Sequence, residues 1–205
     1  TYALGGSVSC VKERVRVGAN GPELSEPSLP QLDALQDRLC YQFSDLKLLK
    51  RALTHRSAGR HHNERLEFLG DAVIGLAAAS AFYDRFPEAD EGVLSRLRAL
   101  VVSGHSLAAI AKAFDLSPCL ILGESERKSG GRHRDSILAD TLEALLGAVA
   151  LDAGPETALQ VAGEWLRSAI ESASPSDTID AKTQLQERCQ ARGEALPEYT
   201  DVEVL

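Results

Sequence analysis

Leucines recur along the chain at intervals of three and four positions, which is the spacing of one face of an α-helix. Leu32, Leu35 and Leu39 form the first such stripe, and Pro30 lies near its start, where proline is tolerated in a helix. The same period continues as far as residue 171 and shows no internal repeat. The pattern therefore predicts an all-α body, a bundle of helices packed around one core.

The remaining helices follow from the same period and from the residues that interrupt it. Ser44 is predicted to be the N-cap of a second helix that runs to Leu53. Pro87 and the Gly154-Pro155 pair are expected to end helices. The apolar stretch Cys119–Leu122 is too short for a helix, and the basic, glycine-rich stretch 123–134 is predicted to be a polar loop. The longer helices are predicted at 63–83, 91–103, 104–115, 136–152 and 156–171.

The two ends of the chain differ from this body. Residues 1–30 contain glycine and proline without a sustained period, so we expect an N-terminal extension that is mobile. After a predicted linker at 173–179, residues 181–190 have a helical pattern and residues 198–205 alternate as a strand does. The expected organisation is a helical domain at 31–172 followed by the beginning of an α/β module at 180–205.

The amino-acid composition excludes fewer classes of function than the pattern of apolar and polar positions does. The net charge of −8 argues against a nucleic-acid-binding protein, unless the acidic side chains hold cations. The four cysteines are scattered without a C-x-x-C pair, which indicates reduced thiols in a cytoplasmic protein. No stretch approaches the run of about 18 apolar residues expected of a membrane span. The chain has no methionine, so we expect a fragment or a processed form.

Three acidic side chains are predicted to share one stripe of the helix at 63–83. At about 100° per residue, Glu64, Glu67 and Asp71 fall within roughly 60° of one another. Leu66 and Val73 lie on the opposite side, which should face the core. Taken alone, this pattern is equally typical of a solvated face of an amphipathic helix.

The helix at 136–152 repeats the arrangement in more apolar surroundings. Asp140 and Glu143 are neighbours on one face, and the positions around them are almost all apolar. Gly147 follows on the same stripe, where a missing side chain permits a close approach. Two acids within such a helix are costly unless they are paired or bind a metal, so a functional interpretation is favoured.

Carboxylates from two helices without histidine or cysteine form a set of hard oxygen ligands, which suits Mg²⁺ or Mn²⁺ and not zinc. Two such ions are the usual device for hydrolysis of a phosphodiester bond. A di-iron bundle is the alternative, but it requires Glu-x-x-His, and the third positions after Glu64 and Asp140 are Glu67 and Glu143. The four histidines between 55 and 133 that lie near these segments are assigned to structural or surface roles.

Asn63–Ala72 (NERLEFLGDA) resembles the signature of ribonuclease III. The similarity continues through most of 31–172, in Ala52–Ser57, Asp90–Ser95, Lys128–Gly131 and Ser136–Ala144, and no acidic position of these motifs is substituted. The resemblance implies an endoribonuclease that cuts double-stranded RNA with Mg²⁺, for which Mn²⁺ is expected to substitute. It also implies 5′-phosphate and 3′-hydroxyl ends, a short 3′ overhang, and a role in processing ribosomal RNA precursors and other structured transcripts.

The resemblance assigns roles to particular residues. It implies that Glu67, Asp71, Asp140 and Glu143 are the metal-binding and catalytic acids. It makes Glu64 and Glu91 auxiliary acids of the same cleft. It further implies a homodimer with one site in each subunit and with Phe68 as a contact residue. The sequence indicates this independently, because Phe68 lies near the acidic stripe and away from the predicted core face; the alternative is that it packs under a helix of its own chain.

RNA contacts are predicted in two places. One is the basic loop, with Arg127, Lys128 and Arg132. The other is the tail, where Asp180–Glu187 and Pro197–Tyr199 resemble the first helix and first strand of a double-stranded-RNA-binding domain. That resemblance implies minor-groove contacts from Thr183 and Gln186. The rest of that module is absent, so we expect the tail to bind RNA poorly by itself. A non-catalytic ribonuclease III-like RNA-binding or scaffold protein remains the alternative function.

Overall fold

The helical body of the chain is described here from a computed structural model, which covers residues 26–178 and the isolated positions 189, 190, 192, 193 and 195. Within 26–178 the chain forms α-helices joined by short 3₁₀ turns, and a single isolated bridge pairs Thr54 with Ile121. This agrees with the predicted all-α body. The helices are α1 (Leu29–Leu39), α2 (Leu46–Ala52), α3 (Glu64–Arg85), α4 (Glu91–Val101), α5 (Gly104–Ala113), α6 (Glu124–Lys128), α7 (Asp135–Ala153) and α8 (Pro155–Ser172).

Local capping explains where the early helices begin. At α1, Gln31 reaches back to accept a hydrogen bond from the backbone N–H of Ser28 at 2.8 Å. At α2, the side chain of Asp45 accepts a hydrogen bond from the backbone N–H of Lys47 at 2.9 Å. The prediction that Ser44 caps α2 is therefore wrong by one residue, because the Asp45 carboxylate takes this role.

Helix α7 lies at the centre of the body and packs against α3, α5, α8 and α2. Most of its side chains are buried, as its apolar composition requires. The first and last helices are joined through Trp165, whose indole N–H donates to the backbone oxygen of Leu39 at 3.0 Å. The same ring packs edge-on against Phe114 at 5.3 Å. These contacts close one continuous core around α7.

The stretch 123–134 is more regular than the predicted polar loop. It contains α6 and a 3₁₀ turn at Gly131–His133. The Ser117 hydroxyl donates to the backbone oxygen of Arg132 at 2.8 Å, and Gly123 N–H donates to the hydroxyl of Ser57 at 2.9 Å. The prediction of a loop failed here because contacts from distant segments, which are invisible in the local pattern, order the stretch.

Helix α3 is the longest helix of the described residues and contains a strongly apolar stretch. An 18-residue window of α3 has a mean hydropathy of 1.4, so by length and composition alone this helix is able to cross a membrane. The longest stretch of α3 without a charged side chain is nevertheless only the 12 residues between Asp71 and Asp84, so α3 contains no uninterrupted run of about 18 apolar residues. The packing of α3 against α7, α8 and α4 gives its composition another cause, since a helix in the core of a bundle needs the same apolar residues.

Candidate metal centre

The acidic faces of α3 and α7 meet where the two helices cross at glycine. A Cβ atom on Gly70 of α3 would lie 1.7 Å from the backbone oxygen of Glu143, and a Cβ atom on Gly147 of α7 would lie 2.0 Å from the backbone oxygen of Leu66. Side chains at either position are therefore excluded, and the two backbones touch. The close approach predicted at Gly147 is a contact with the backbone of α3.

This crossing brings three carboxylates together. One oxygen from each of Glu67, Asp140 and Glu143 lies within 4.8 Å of the others, and all three side chains are partly buried. Glu67 comes from α3, one turn before Gly70, and the other two acids come from α7, one and two turns before Gly147. The predicted convergence of acids from two helices therefore occurs, and it depends on the missing side chains at the crossing.

The carboxylates of this cluster are more basic than ordinary acids. Burial, together with the charges of Asp71, Asp140 and Glu67, raises the pKa of Glu143 to about 7. Burial also raises the pKa of Glu67, with Asp140 and Glu64 as the next causes. For Asp140, burial raises the pKa while the positive charges of His55 and Arg56 oppose the shift. Mutual repulsion of this kind is what a bound cation relieves.

An open pocket of about 360 Å³ lies above two of these acids. Glu67 and Asp140 line it, together with Glu64 at its edge. Its other walls carry side chains that sequence analysis did not assign to the site. They come from the segment before α3, from the stretch that leads into α7 and from the first turn of α7: His55, Arg56, Asn63, Glu126, Arg134, Ser136 and Ile137.

Glu126 has an unusual position in this wall. Its Oε1 atom is buried and lies 2.7 Å from a guanidinium nitrogen of Arg134, which is ion-pair distance, but no hydrogen bond of acceptable geometry is formed. A Cβ atom on Gly131 would lie 2.8 Å from the backbone oxygen of Glu126, so the turn can pack against this residue only with glycine there. Glu126 and Arg134 thus fix the stretch 123–134 against the pocket.

The other predicted acids lie farther from the cluster. Asp71 is exposed and outside the group of three, although its charge acts on Glu67 and Glu143. Glu64 pairs with Arg56 at 3.4 Å and with His62 at 3.6 Å. Glu91 is at the start of α4, where it accepts a hydrogen bond from the Ser95 hydroxyl at 2.7 Å, and it does not line the pocket.

The residues predicted to contact RNA are in different circumstances. Lys128 is exposed and pairs with Glu124 at 2.6 Å, and Arg127 is exposed beside it on α6. The guanidinium of Arg132 donates to the backbone oxygens of Ser117 and Pro118 at 2.8 and 3.1 Å, so it helps to hold the fold of this stretch. The predicted contacts from Thr183 and Gln186 lie outside the described residues.

Phe68 is 82% exposed, as its position on the helix predicted. Leu76 and Tyr83 continue the same exposed face along α3, and Leu151 at the end of α7 is also exposed. A second open pocket, of about 520 Å³, lies beside Phe68 and includes Leu69 and Leu151. The alternative, in which Phe68 packs beneath a helix of its own chain, does not hold in this structure.

Sequence analysis missed the pocket walls because they come from separate segments. His55 was assigned to a structural or surface role, yet it lines the pocket, and burial lowers its pKa. The only signal in the sequence was proximity along the chain, since His55 and Arg56 precede α3, and Glu126 and Arg134 precede α7. Their convergence follows from the crossing of those two helices.

Comparison with known proteins agrees with this geometry. A family model described as Ribonuclease-III-like matches residues 45–170. Two solved structures of the nuclease domain of ribonuclease III from Campylobacter jejuni are similar to the chain. The first is 40% identical with a TM-score of 0.66, covering 67% of this chain and 96% of that one, and concerns flexibility in a region involved in dimer formation. The second is 39% identical with a TM-score of 0.66, covering 70% of this chain and 98% of that one.

Proposed function

The chain belongs to the ribonuclease III family of double-stranded-RNA endoribonucleases, and we propose that it cleaves RNA duplexes at the carboxylate cluster with the help of two divalent cations. The expected products carry 5′-phosphate and 3′-hydroxyl ends with a short 3′ overhang. Ribosomal RNA precursors and other structured transcripts of the cytoplasm are proposed as natural substrates, on the ground of family membership. The observation that carries the proposal is the group formed by Glu67, Asp140 and Glu143.

The donor set fits a hard divalent cation. All three ligand atoms are carboxylate oxygens within 4.8 Å of one another, and such oxygens suit Mg²⁺ and Mn²⁺. The pKa of Glu143 is raised by burial and by three neighbouring acids, and no basic side chain opposes this shift. We therefore propose that Glu67, Asp140 and Glu143 hold the cations, with the nearby charge of Asp71 completing the catalytic set.

When bound, the cations supply charge neutralisation at the phosphoryl group and activation of water. The chain's own residues bring the RNA to that position. Arg56 and Arg134 line the same pocket as the acids and are suited to bind the phosphates on either side of the reacting one. Glu64 holds Arg56 through their ion pair, which gives this auxiliary acid a positioning role. The role of Glu91 as an auxiliary acid of the cleft stays a prediction.

We also propose that the protein acts as a homodimer through the exposed apolar face of α3. An aromatic side chain that is 82% exposed is costly in water, and Leu76 and Tyr83 extend the same surface. The pocket beside Phe68 is suited to receive an aromatic side chain from a second copy. Replacement of Phe68 by glutamate is expected to yield monomers in analytical ultracentrifugation, whereas Leu29→Glu, at an exposed leucine of α1, is expected to leave the dimer intact.

Cleavage of a long, perfect RNA duplex tests the nuclease. With Mg²⁺ the protein is expected to give staggered cuts with 5′-phosphate ends, and EDTA is expected to stop the reaction. Glu143→Gln keeps the shape of the side chain but removes its charge, and it is expected to lower kcat/KM by at least about 10²-fold. Substitution of residues that only support a metal ligand already costs about 10- to 100-fold, so the loss of a ligand should cost at least as much. The matched control is Glu171→Gln, an exposed acid on α8.

The outcome separates this proposal from the alternative of a scaffold. A protein that binds the duplex without cutting it, in the presence of Mg²⁺, would favour a non-catalytic RNA-binding function. A protein whose Glu143→Gln variant cleaves as fast as the wild type would remove the carboxylate cluster from the reaction.

A further inference from the structure

Basic residues are concentrated in one short part of this acidic chain. The 20 residues from Leu46 to Arg65 hold six of the chain's 22 lysines and arginines and only one of its 30 acidic residues, Glu64. The local charge is thus +5, from six basic side chains and one acidic one, whereas the whole chain has a net charge of −8. Three histidines lie in the same stretch.

The fold gathers these side chains around one open groove of about 350 Å³. Five basic residues line the groove, and they come from α2 and from the segment that leads to α3: Lys47, Lys50, Arg51, Arg60 and His61. The one acid in its lining is Glu26, which pairs with Lys50 at 3.2 Å. We call this surface the basic groove.

The basic groove adjoins the pocket lined by Glu67 and Asp140, which we call the acid pocket. The segment 54–59 lines both cavities, since His55 and Arg56 face the acid pocket while Thr54, Ala58 and Gly59 line the groove. Only the short 3₁₀ turn Arg56–Ala58 separates them. A long polyanion that reaches the acid pocket therefore has the groove within its reach.

We propose that the basic groove binds the phosphate backbone of the same RNA duplex, next to the part of the duplex that enters the acid pocket. This inference rests on the proposed function. An A-form duplex offers phosphates and 2′-hydroxyls to a protein surface, and its charge density favours a concentrated basic patch. The groove supplies local positive charge on a protein whose net charge is negative. This positive charge attracts the RNA phosphates, which the carboxylates of the acid pocket repel.

Two of the five basic residues are suited to a test. Arg51 donates from Nε to the backbone oxygen of His62 at 3.2 Å, and Lys50 pairs with Glu26, so both have structural contacts that a substitution would remove. Lys47 and Arg60 are exposed. The test variant is Lys47→Gln combined with Arg60→Gln in the full chain. The matched control removes two exposed charges from α5 and α8, Lys112→Gln with Arg167→Gln, whose surface ion pairs with Asp135 and Glu164 contribute little to stability.

Binding of a labelled RNA duplex is measured in EDTA over a series of salt concentrations, and cleavage is measured in Mg²⁺. The Lys47/Arg60 variant is expected to bind several-fold more weakly at low salt. Its slope of log K against log salt is expected to be smaller by about 1 to 2, because each lost phosphate contact lowers the slope by roughly one. In cleavage, KM is expected to rise while kcat stays unchanged. The control pair is expected to match the wild type in slope and KM.

Each other outcome overturns a defined claim. A wild type that cleaves the duplex, together with a Lys47/Arg60 variant that keeps the full salt slope, would overturn the RNA contact at the groove and leave the proposed nuclease intact. An equal loss of slope in the control pair would show that net charge, and not the groove, governs binding. A wild type that neither binds nor cleaves the duplex would overturn the proposed function itself.

Discussion

Helix α7 carries carboxylates in opposite surroundings at its middle and at its C-terminal end. Near its last turn, Asp152 accepts hydrogen bonds from the Tyr41 hydroxyl at 2.7 Å and from the backbone N–H groups of Ser44 and Asp45, both at 2.9 Å. These bonds lower its pKa although burial raises it. Near the crossing with α3, Glu143 is surrounded by other acids, and its pKa is raised to about 7.

This difference separates a structural acid from a functional one. Asp152 has its donors within the chain and joins the end of α7 to the start of α2, so its charge contributes to the fold. The cluster of Glu67, Asp140 and Glu143 holds its charges together at a cost that His55 and Arg56 offset only in part. A carboxylate whose partners are supplied by the chain stabilises the protein, and a cluster without them is arranged for a cation from outside.

The largest effect is expected from Gly70→Ala, a substitution that forces α3 and α7 apart where they cross. Gly70→Ala places a methyl group 1.7 Å from the backbone oxygen of Glu143, so α3 and α7 have to separate. We expect a loss of about 3 kcal/mol in the free energy of unfolding, the upper part of the usual range for overpacking. Urea denaturation measures this change.

Gly75→Ala is the matched control on the same helix. Nothing lies within 4 Å of a Cβ atom at Gly75, so the substitution is expected to stabilise α3 by about 0.5 to 1 kcal/mol through helix propensity. Equal stability of the Gly70→Ala variant and the wild type would contradict the proposed role of the glycine contact.

A smaller loss is expected when the satisfied carboxylate is replaced. Asp152→Asn removes the charge from three hydrogen bonds and is expected to lower the free energy of unfolding by about 1 to 2 kcal/mol at neutral pH. Because the folded-state pKa lies below the ordinary value of 3.8, this contribution is complete above that pH and is lost as the pH falls below it. Denaturation at neutral pH measures this loss, with Asp33→Asn on α1 as the control. An unchanged free energy of unfolding in Asp152→Asn would show that these hydrogen bonds do not stabilise the fold.

The opposite sign is expected at Glu143, in the middle of the same helix. In metal-free buffer, Glu143→Gln is expected to stabilise the protein by about 1 kcal/mol at pH 8, a value reduced for the partial exposure of the side chain. Since the folded-state pKa is raised from 4.5 to about 7, the gain is absent below pH 4.5, grows as the pH rises to about 7 and is constant above it. Denaturation at pH 4 and pH 8 distinguishes this from a pH-independent packing effect, which would contradict the account.

Much of this comparison was visible in the sequence, because helical period alone places Asp140 and Glu143 on one face of an apolar helix. The exposed position of Phe68 was predicted from the same geometry and is confirmed by the structure. Gly147 on the acidic stripe correctly indicated a close approach. These features depend on spacing within one element, which a sequence displays directly.

The rest depends on contacts between distant segments. The N-cap of α2 moved from Ser44 to Asp45 because the backbone N–H groups of both residues are bound by Asp152, more than 100 positions away. The stretch 123–134 folds because Ser57 and Ser117 hold it. For the same reason the basic groove was not predicted, since its side chains converge only when α2 and the turn before α3 pack together.

Titration of the metal-free protein with Mg²⁺ and Mn²⁺ tests whether Glu67, Asp140 and Glu143 form the metal centre. Binding is followed by calorimetry in two buffers and by the thermal midpoint of unfolding. We expect the cations to raise the thermal midpoint of the wild type and to release protons near pH 7, because Glu143 has to lose its proton to bind a cation. Asp152→Asn should retain this response, and Glu143→Gln should lose most of it. An equal response in the wild type and in Glu143→Gln would contradict the assignment of the cluster as the metal centre.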